Sequence, residues 1–218
     1  MADRRIRLVA FDMEGCLTAD PTIWEIMHRK LGTWHSHGLT YWNNYKAGKL
    51  EYDDFARLDV ATWRDAPLEL LLDSAKEVPL TKGCAEVLSR LRAEGMQVAI
   101  ISNGLTCGAA RFGEEFGVGH IRANSVVVRG GRLTGELKLL VPYGAKGKVL
   151  AELARELHLE PSEIAAVGDS PADIAMFRAA AVSIAFRPSH PSVALHSSHT
   201  VVGDDLRPLL GILLDRTY

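Results

Sequence analysis

Five short apolar runs constrain this chain more than any other feature of its sequence. They are "IRLVAF", "MQVAII", "IAAV", "VSIAF" and "HTVV". Each stops at polar or turn-forming residues: Asp12, Ser102-Asn103-Gly104, Gly168-Asp169-Ser170, Arg187-Pro188 and Gly203-Asp204. A strand with one wet face alternates polar and apolar residues, whereas a strand apolar throughout is covered on both faces. Such runs call for a parallel sheet sandwiched between helices, and the intervening segments supply them. "GCAEVLSRLRAEG" places Val87, Leu88 and Leu91 on one face and stops at Gly95. "KGKVLAELARELHLEP" does the same with Val149, Leu150, Leu153 and Leu157 and ends before Pro161. "SPADIAMFRAA" starts another helix, and "DLRPLLGILLDRTY" reads as a closing helix with Leu206, Leu209, Leu210 and Leu213 inward. The predicted fold is a doubly wound, Rossmann-like α/β core.

Two regions break that rhythm. From Pro21 to Val78 there is no buried strand, only amphipathic helical patterns holding all four tryptophans. This predicts a helical cap over 21–78, inserted after the first strand into a core made of 1–20 and 79–218. Most of its aromatics (Trp24, Trp34, Tyr41, Trp42, Tyr45, Tyr52, Phe55, Trp63) are expected to fill the cap's own interior, with one or two facing the cleft. The second break, "NSVVVRGGRLTGEL", reads as a hairpin turning at Arg129-Gly-Gly-Arg132. No repeat or low-complexity tract is present.

With 218 residues, 47% of them hydrophobic, the chain can bury a core without a staple. Cys16, Cys84 and Cys107 are odd in number and widely spaced, which argues against a disulfide framework or structural zinc. The histidines of "WHSHG" and His190, His196 and His199 lack partners at metal-binding spacing and read as surface or loop residues. The net charge of −2 gives no reason to expect nucleic acid or an anionic membrane. No signal core or membrane span is visible. The expectation is a soluble cytoplasmic protein, monomeric or homodimeric.

Ligands of open parallel sheets bind beyond the carboxyl ends of the strands. Asp12 with Glu14, then Ser102, then Asp169 with Asp173 stand at three such ends. Any one of these acids is most simply a helix cap; their joint occurrence is harder to explain that way. "FDMEGCL", "IISNGL", "GAKGKVL" and "AVGDSPADIAMF" together resemble, in order and over the whole chain, the four motifs of the haloacid dehalogenase-like phosphohydrolases, most closely the phosphoserine phosphatase-like branch.

That resemblance implies a Mg²⁺-dependent phosphatase acting on a small phosphorylated metabolite. Asp12 is then the nucleophile and, with Asp169, a metal ligand, the backbone carbonyl of Glu14 being a third. Asp173 supports the metal directly or from behind. Ser102 and Asn103 bind the phosphoryl group, and Lys146, rather than Lys148, offsets its charge. Glu14 is the general acid/base. The chemistry suits these residue types, because a carboxylate attacks a dianionic ester only where hard oxygen ligands, a cation and N–H groups neutralise charge.

The chain also departs from the pattern. Glu14 stands where Asp is usual; the two side chains differ trivially in intrinsic acidity, but one methylene of additional reach matters for geometry. Cys16 replaces Thr or Val and reads as packing. Asn103 follows Ser102 where the phosphoserine branch has Gly, and Ala172 replaces an Asn. In the cap, Pro21 falls at the position of an acidic substrate-gripping residue and Asp59 at that of a basic one, with Arg57 two residues earlier. Phosphoserine is therefore one candidate among small esters. The alternative is a phosphate- or ligand-binding protein with reduced catalysis. A phosphorylatable receiver shares the Asp and Lys but has no place for the insert.

Overall fold

The structure, a computed structural model, describes residues 6–215. Among these residues seven strands form one sheet: β1 (Leu8–Phe11), β2 (Gln97–Leu105), β3 (His120–Arg129), β4 (Arg132–Lys138), β5 (Ile164–Gly168), β6 (Val182–Phe186) and β7 (His199–Val201). Their order is β4-β3-β2-β1-β5-β6-β7, with β4 antiparallel to β3 and the other pairings parallel. The chain moves outward from β1 first through β2 and β3, then on the other side through β5, β6 and β7. The carboxyl ends of β2, β1 and β5 thus lie side by side where the winding reverses.

Between β1 and β2 lie α1 (Ile23–Lys30), a π-turn at Trp34–Gly38, α2 (Leu39–Lys46), α3 (Tyr52–Thr62) and α4 (Leu68–Glu77). Thr22 starts α1 by accepting a hydrogen bond from the Glu25 amide, satisfying one of the donors every helix leaves free at its N-terminus. Ile23, Met27, Val60, Trp63 and Leu71 form the interior of this layer. The segment joining α3 to α4 is stitched to the β3–β4 hairpin, with Asp65 N donating to Leu133 O, Leu133 N to Ala66 O and Leu68 N to Gly131 O, each at 2.9 Å.

Successive residues of β1 feed opposite faces of the sheet, as a period of two requires. Val9 and Phe11 pack beneath α5 (Cys84–Ala93), α6 (Thr106–Phe116) and α10 (Leu209–Leu213). Leu8 and Ala10 pack beneath α7 (Lys146–Glu156), α8 (Ile174–Phe177) and α9 (Pro191–Leu195). Burial of each large aliphatic side chain here contributes about 1.5–3 kcal/mol, which is why all-apolar strands were a reliable sign.

Four details differ from the sequence reading. β2 does not stop at Ser102 but runs to Leu105, with a register slip between Ile101 and Leu105. The cause is local: Ser102 Oγ accepts from Gly104 N at 3.0 Å, drawing the backbone out of the ladder. The hairpin turns at Arg129-Gly-Gly-Arg132 as expected, but its first strand begins earlier than the expected run, at His120, and pairs with β2 as part of the main sheet. The "SPADIAMF" helix is one 3₁₀ turn, Pro171–Asp173, followed by the four residues of α8, because the Asp173 side chain folds back onto the turn that precedes it. The closing helix spans five residues and buries Leu206, Leu209 and Leu213 beside or within it, Leu210 being half-buried; positions 216–218 of the expected helix lie outside the described residues.

Candidate active site

β1 ends where Asp12 N donates to Val167 O of β5 at 2.9 Å, and Met13 N turns back to Asp12 Oδ1 at 2.7 Å. The second carboxylate oxygen of Asp12 lies 2.8 Å from Lys146 Nζ, which comes from the first residue of α7. The same ammonium lies 2.6 Å from Asp173 Oδ1. Lys146 and Asp173 are almost wholly buried, so neither charge would be tolerated alone. Burial opposes the Lys146 charge, but Asp12 and Asp173 hold the ammonium above the ordinary lysine value. Lys148, by contrast, is exposed and lies 3.9 Å from Glu152 on the outside of α7.

Asp173 is fully engaged. Its Oδ2 accepts from Asp169 N, Ser170 N and Ser170 Oγ at 3.1, 2.9 and 3.0 Å, while Oδ1 faces Lys146. It therefore holds the strand end in shape. Asp169 is the opposite case: its Oδ1 is buried and has no hydrogen-bond partner among the described residues. Burial, with Asp12 and Asp173 adding, pushes its carboxyl well above the usual carboxylate range. Carboxylate oxygens of Asp12, Asp169 and Asp173 all lie within 4.8 Å of one another. An orphaned buried oxygen in an all-oxygen cluster fits a hard divalent cation such as Mg²⁺. Two glycines make the crowding possible. A Cβ on Gly15, at φ 84°, would stand 2.6 Å from the Asp169 carboxyl carbon, and one on Gly168 would stand 2.3 Å from Asp173 Cβ.

Glu14 lies in the turn after β1, with Oε2 accepting from the Trp24 indole nitrogen of α1 at 3.2 Å. Burial pushes its carboxyl up to about 7, the Trp24 hydrogen bond opposing and Asp12 adding. Burial likewise lifts Asp12, to about 6, against the pull of Lys146. Both neighbouring acids are thus raised by burial, and a Glu14 carboxyl lifted to about 7 suits a proton donor beside a nucleophile held by a cation.

Ser102 is buried, its Oγ directed to the slip in β2. Asn103 borders the same cleft, but its amide nitrogen donates to Val141 O and Pro142 O at 2.8 and 3.1 Å. Asn124 completes this bolt: Nδ2 donates to Asn103 O at 2.6 Å, and Oδ1 accepts from Leu140 N and Val141 N, both at 2.8 Å. Cys16 is buried, and burial beside Asp169 raises its thiol far above the ordinary value, in keeping with a packing role. Arg187 reaches the cleft from the loop after β6, where Ser189 N and Oγ donate to Asp169 O at 2.7 and 3.0 Å. His190 instead caps α9.

The cleft between cap and sheet encloses about 660 Å³. Trp24, Trp34, Trp42, Tyr45, Tyr52 and Phe55 all border it, so six of the eight cap aromatics face the cavity rather than the one or two expected. The reason is geometric: Trp24 of α1 and Trp42 and Tyr45 of α2 all meet Phe55 of α3, so the rings that join these helices also roof the cleft. Trp24, Tyr52 and Asn124 were not legible as site residues. Each acts across an element boundary that spacing along the chain does not reveal.

A family model described as haloacid dehalogenase-like hydrolase matches residues 9–178. The phosphoserine phosphatase of Methanocaldococcus jannaschii is 29% identical over 185 residues, covering 84% of this chain and 87% of that protein. The phosphoserine phosphatase of Archaeoglobus fulgidus is 28% identical over 185 residues, covering 84% of this chain and 53% of that longer protein. Among solved structures, a phospho-aspartyl intermediate analogue of phosphoserine phosphatase is 26% identical and superposes with a TM-score of 0.84, covering 96% of this chain and 99% of that one.

Proposed function

The chain belongs to the haloacid dehalogenase-like hydrolase family, and on that premise we propose that it hydrolyses a small phosphate monoester through a phosphorylated Asp12. The observation that carries this reading is the buried cluster itself: an Asp12 carboxylate held by Lys146 next to Asp169, whose Oδ1 has no partner among the described residues. Asp12 and Asp169, with the carbonyl of Glu14, would hold Mg²⁺, and Asp173 would fix Asp169 and Lys146 from behind. Bound there, the ion would neutralise phosphoryl charge and so lower the repulsion met by an attacking carboxylate.

In the first step an Asp12 oxygen attacks phosphorus and the bond to the ester oxygen breaks. Protonated Glu14 gives its proton to the departing alkoxide. Glu14, now a carboxylate, takes a proton from water as that water attacks the phosphoryl group. The bond to Asp12 breaks and inorganic phosphate leaves, with both acids restored. Lys146 stays cationic throughout and Ser102 donates to the phosphoryl oxygens. A carboxyl near 7 can serve in both directions at neutral pH, as this sequence of steps requires.

Phosphoserine, the ester in the relatives' names, is one candidate substrate. A binding protein with reduced catalysis is disfavoured by the family match and by a cluster that keeps nucleophile, cation and acid together. The reading is tested by phosphate release from a panel of small esters with Mg²⁺, comparing wild type with Asp12→Asn. Release lost in the variant supports it; unchanged release in the variant rules out attack by Asp12.

A further inference from the structure

The acid that protonates the leaving oxygen fixes where the leaving group lies. Glu14 Oε2 is 3.2 Å from the Trp24 indole nitrogen, so the alcohol must depart beside that ring and continue along whatever the indole adjoins. It adjoins a continuous wall of rings. Trp24 and Phe55 centroids are 6.1 Å apart, Phe55 and Trp42 6.0 Å, and Phe55 and Tyr45 5.5 Å with planes only 19° apart. Tyr45 meets Tyr52 at 5.6 Å, and Tyr52 meets Tyr143, from across the cleft, at 5.9 Å. The cavity of about 660 Å³ is in the range of sites that enclose whole small molecules. A serine-sized body would leave most of the wall in water.

The charges near the wall point the same way. Most of the acids bordering the cap side of the cleft are already partnered: Glu25 is paired with Arg29 at 2.7 Å, and Asp59 is buried with Oδ1 3.0 Å from the His28 ring, leaving Asp20 exposed at the rim. Among the described cleft residues outside the phosphoryl cluster the cations are Lys46, drawn over the Trp42 ring at 5.4 Å, and Arg187, on the loop anchored to Asp169. A charged group lying along the rings, carboxylate or ammonium, would find no unpaired buried partner of opposite sign among these described cleft residues outside the phosphoryl cluster.

We propose that this ring wall is a leaving-group subsite that takes the ester of an uncharged primary alcohol with an aromatic or branched apolar body, in preference to an amino-acid ester. The inference rests on the phosphohydrolase reading above. The test compares kcat/KM for 2-phenylethyl phosphate, O-phospho-L-serine, phosphocholine and methyl phosphate with Mg²⁺. All are esters of alkyl alcohols, so leaving-group acidity does not decide the outcome as it would with an aryl phosphate. The expected result is a preference of at least ~10-fold for 2-phenylethyl phosphate over both phosphoserine and phosphocholine. Trp42 is 42% exposed, so its replacement spares the cap interior. Trp42→Ala should reduce kcat/KM for 2-phenylethyl phosphate about 10-fold more than for methyl phosphate, and Trp42→Phe should recover most of that difference. A preference for phosphoserine or phosphocholine, or an equal loss on both esters in Trp42→Ala, overturns the subsite while leaving the phosphatase intact. Phosphate release from none of the four would remove the phosphatase reading, and the subsite with it.

Discussion

Glu14 carries a methylene more than the usual aspartate at its position, roughly 1.5 Å of reach, and the structure shows where that reach goes. The side chain extends to the Trp24 indole in the cap. Shortening it would break that contact and withdraw the carboxyl from the leaving oxygen. Since ~1 Å of misplacement can cost ~10²-fold in rate, Glu14→Asp is expected to lower kcat by about 10–100-fold. A gain in turnover would show that Glu14 is a defect. The acid values give a second prediction at this scale. Glu14 must be protonated for the first step, so kcat/KM falls above about pH 7. A pH–rate profile should therefore show an alkaline limb, and Glu14→Gln should abolish that limb along with most of the rate. At this scale the carboxylates were visible in the sequence because they cluster just beyond strand ends, and Lys146 was visible through the family resemblance of "GAKGKVL". Trp24 was not, because nothing in "TIWEIM" distinguishes a ring that packs from one that also donates to Glu14.

At the scale of elements, all-apolar strands and glycine-stopped helices were legible because burial on both faces leaves little choice of residue. What could not be read was how side chains redirect backbone. The slip in β2 depends on one hydroxyl, that of Ser102, and the loop at 140–142 depends on Asn124, which donates to the carbonyls of Asn103 and Val141 and accepts from two amides at a fully buried position. An asparagine in a β-prone run looks like an irregularity until its partners are known. Asn124→Ala would strand the buried Val141 N–H and remove the donor to Asn103 O, each buried loss costing about 1–3 kcal/mol, while the half-exposed Leu140 N–H can turn to water. The expected result is a loss of roughly 2–4 kcal/mol in urea unfolding. Stability within about 0.5 kcal/mol of wild type would mean that the loop holds its shape without the bolt.

For the whole molecule, sheet and cap together bury Asp12, Glu14 and Asp169 in one cleft, and all three carboxyls are raised above their ordinary values, chiefly by burial. Groups so raised keep protons that the unfolded chain has already released. The contribution of Asp12 and Glu14 to stability is present below the unfolded values near 4 and is lost as pH rises through about 6 and 7, with Asp169 acting in the same direction. A divalent cation competes with those protons, so Mg²⁺ is expected to raise the melting temperature more at about pH 8 than at about pH 5. An equal shift at both, or none, would argue that the acids do not bind the ion. Fold class and core site were readable at this scale, since the motifs follow strand order. The ring-lined roof of the cleft was not, because the same tryptophans and tyrosines satisfy a cap interior equally well on paper.

The most direct test of the central claim is to trap the covalent intermediate. Wild-type protein mixed with a hydrolysable ester and Mg²⁺, quenched in acid and digested, should yield the peptide containing Asp12 with one added phosphoryl group, and Asp12→Asn should yield none. Steady release of phosphate with no phosphoryl group on that peptide, or with the group on another residue, would contradict the account.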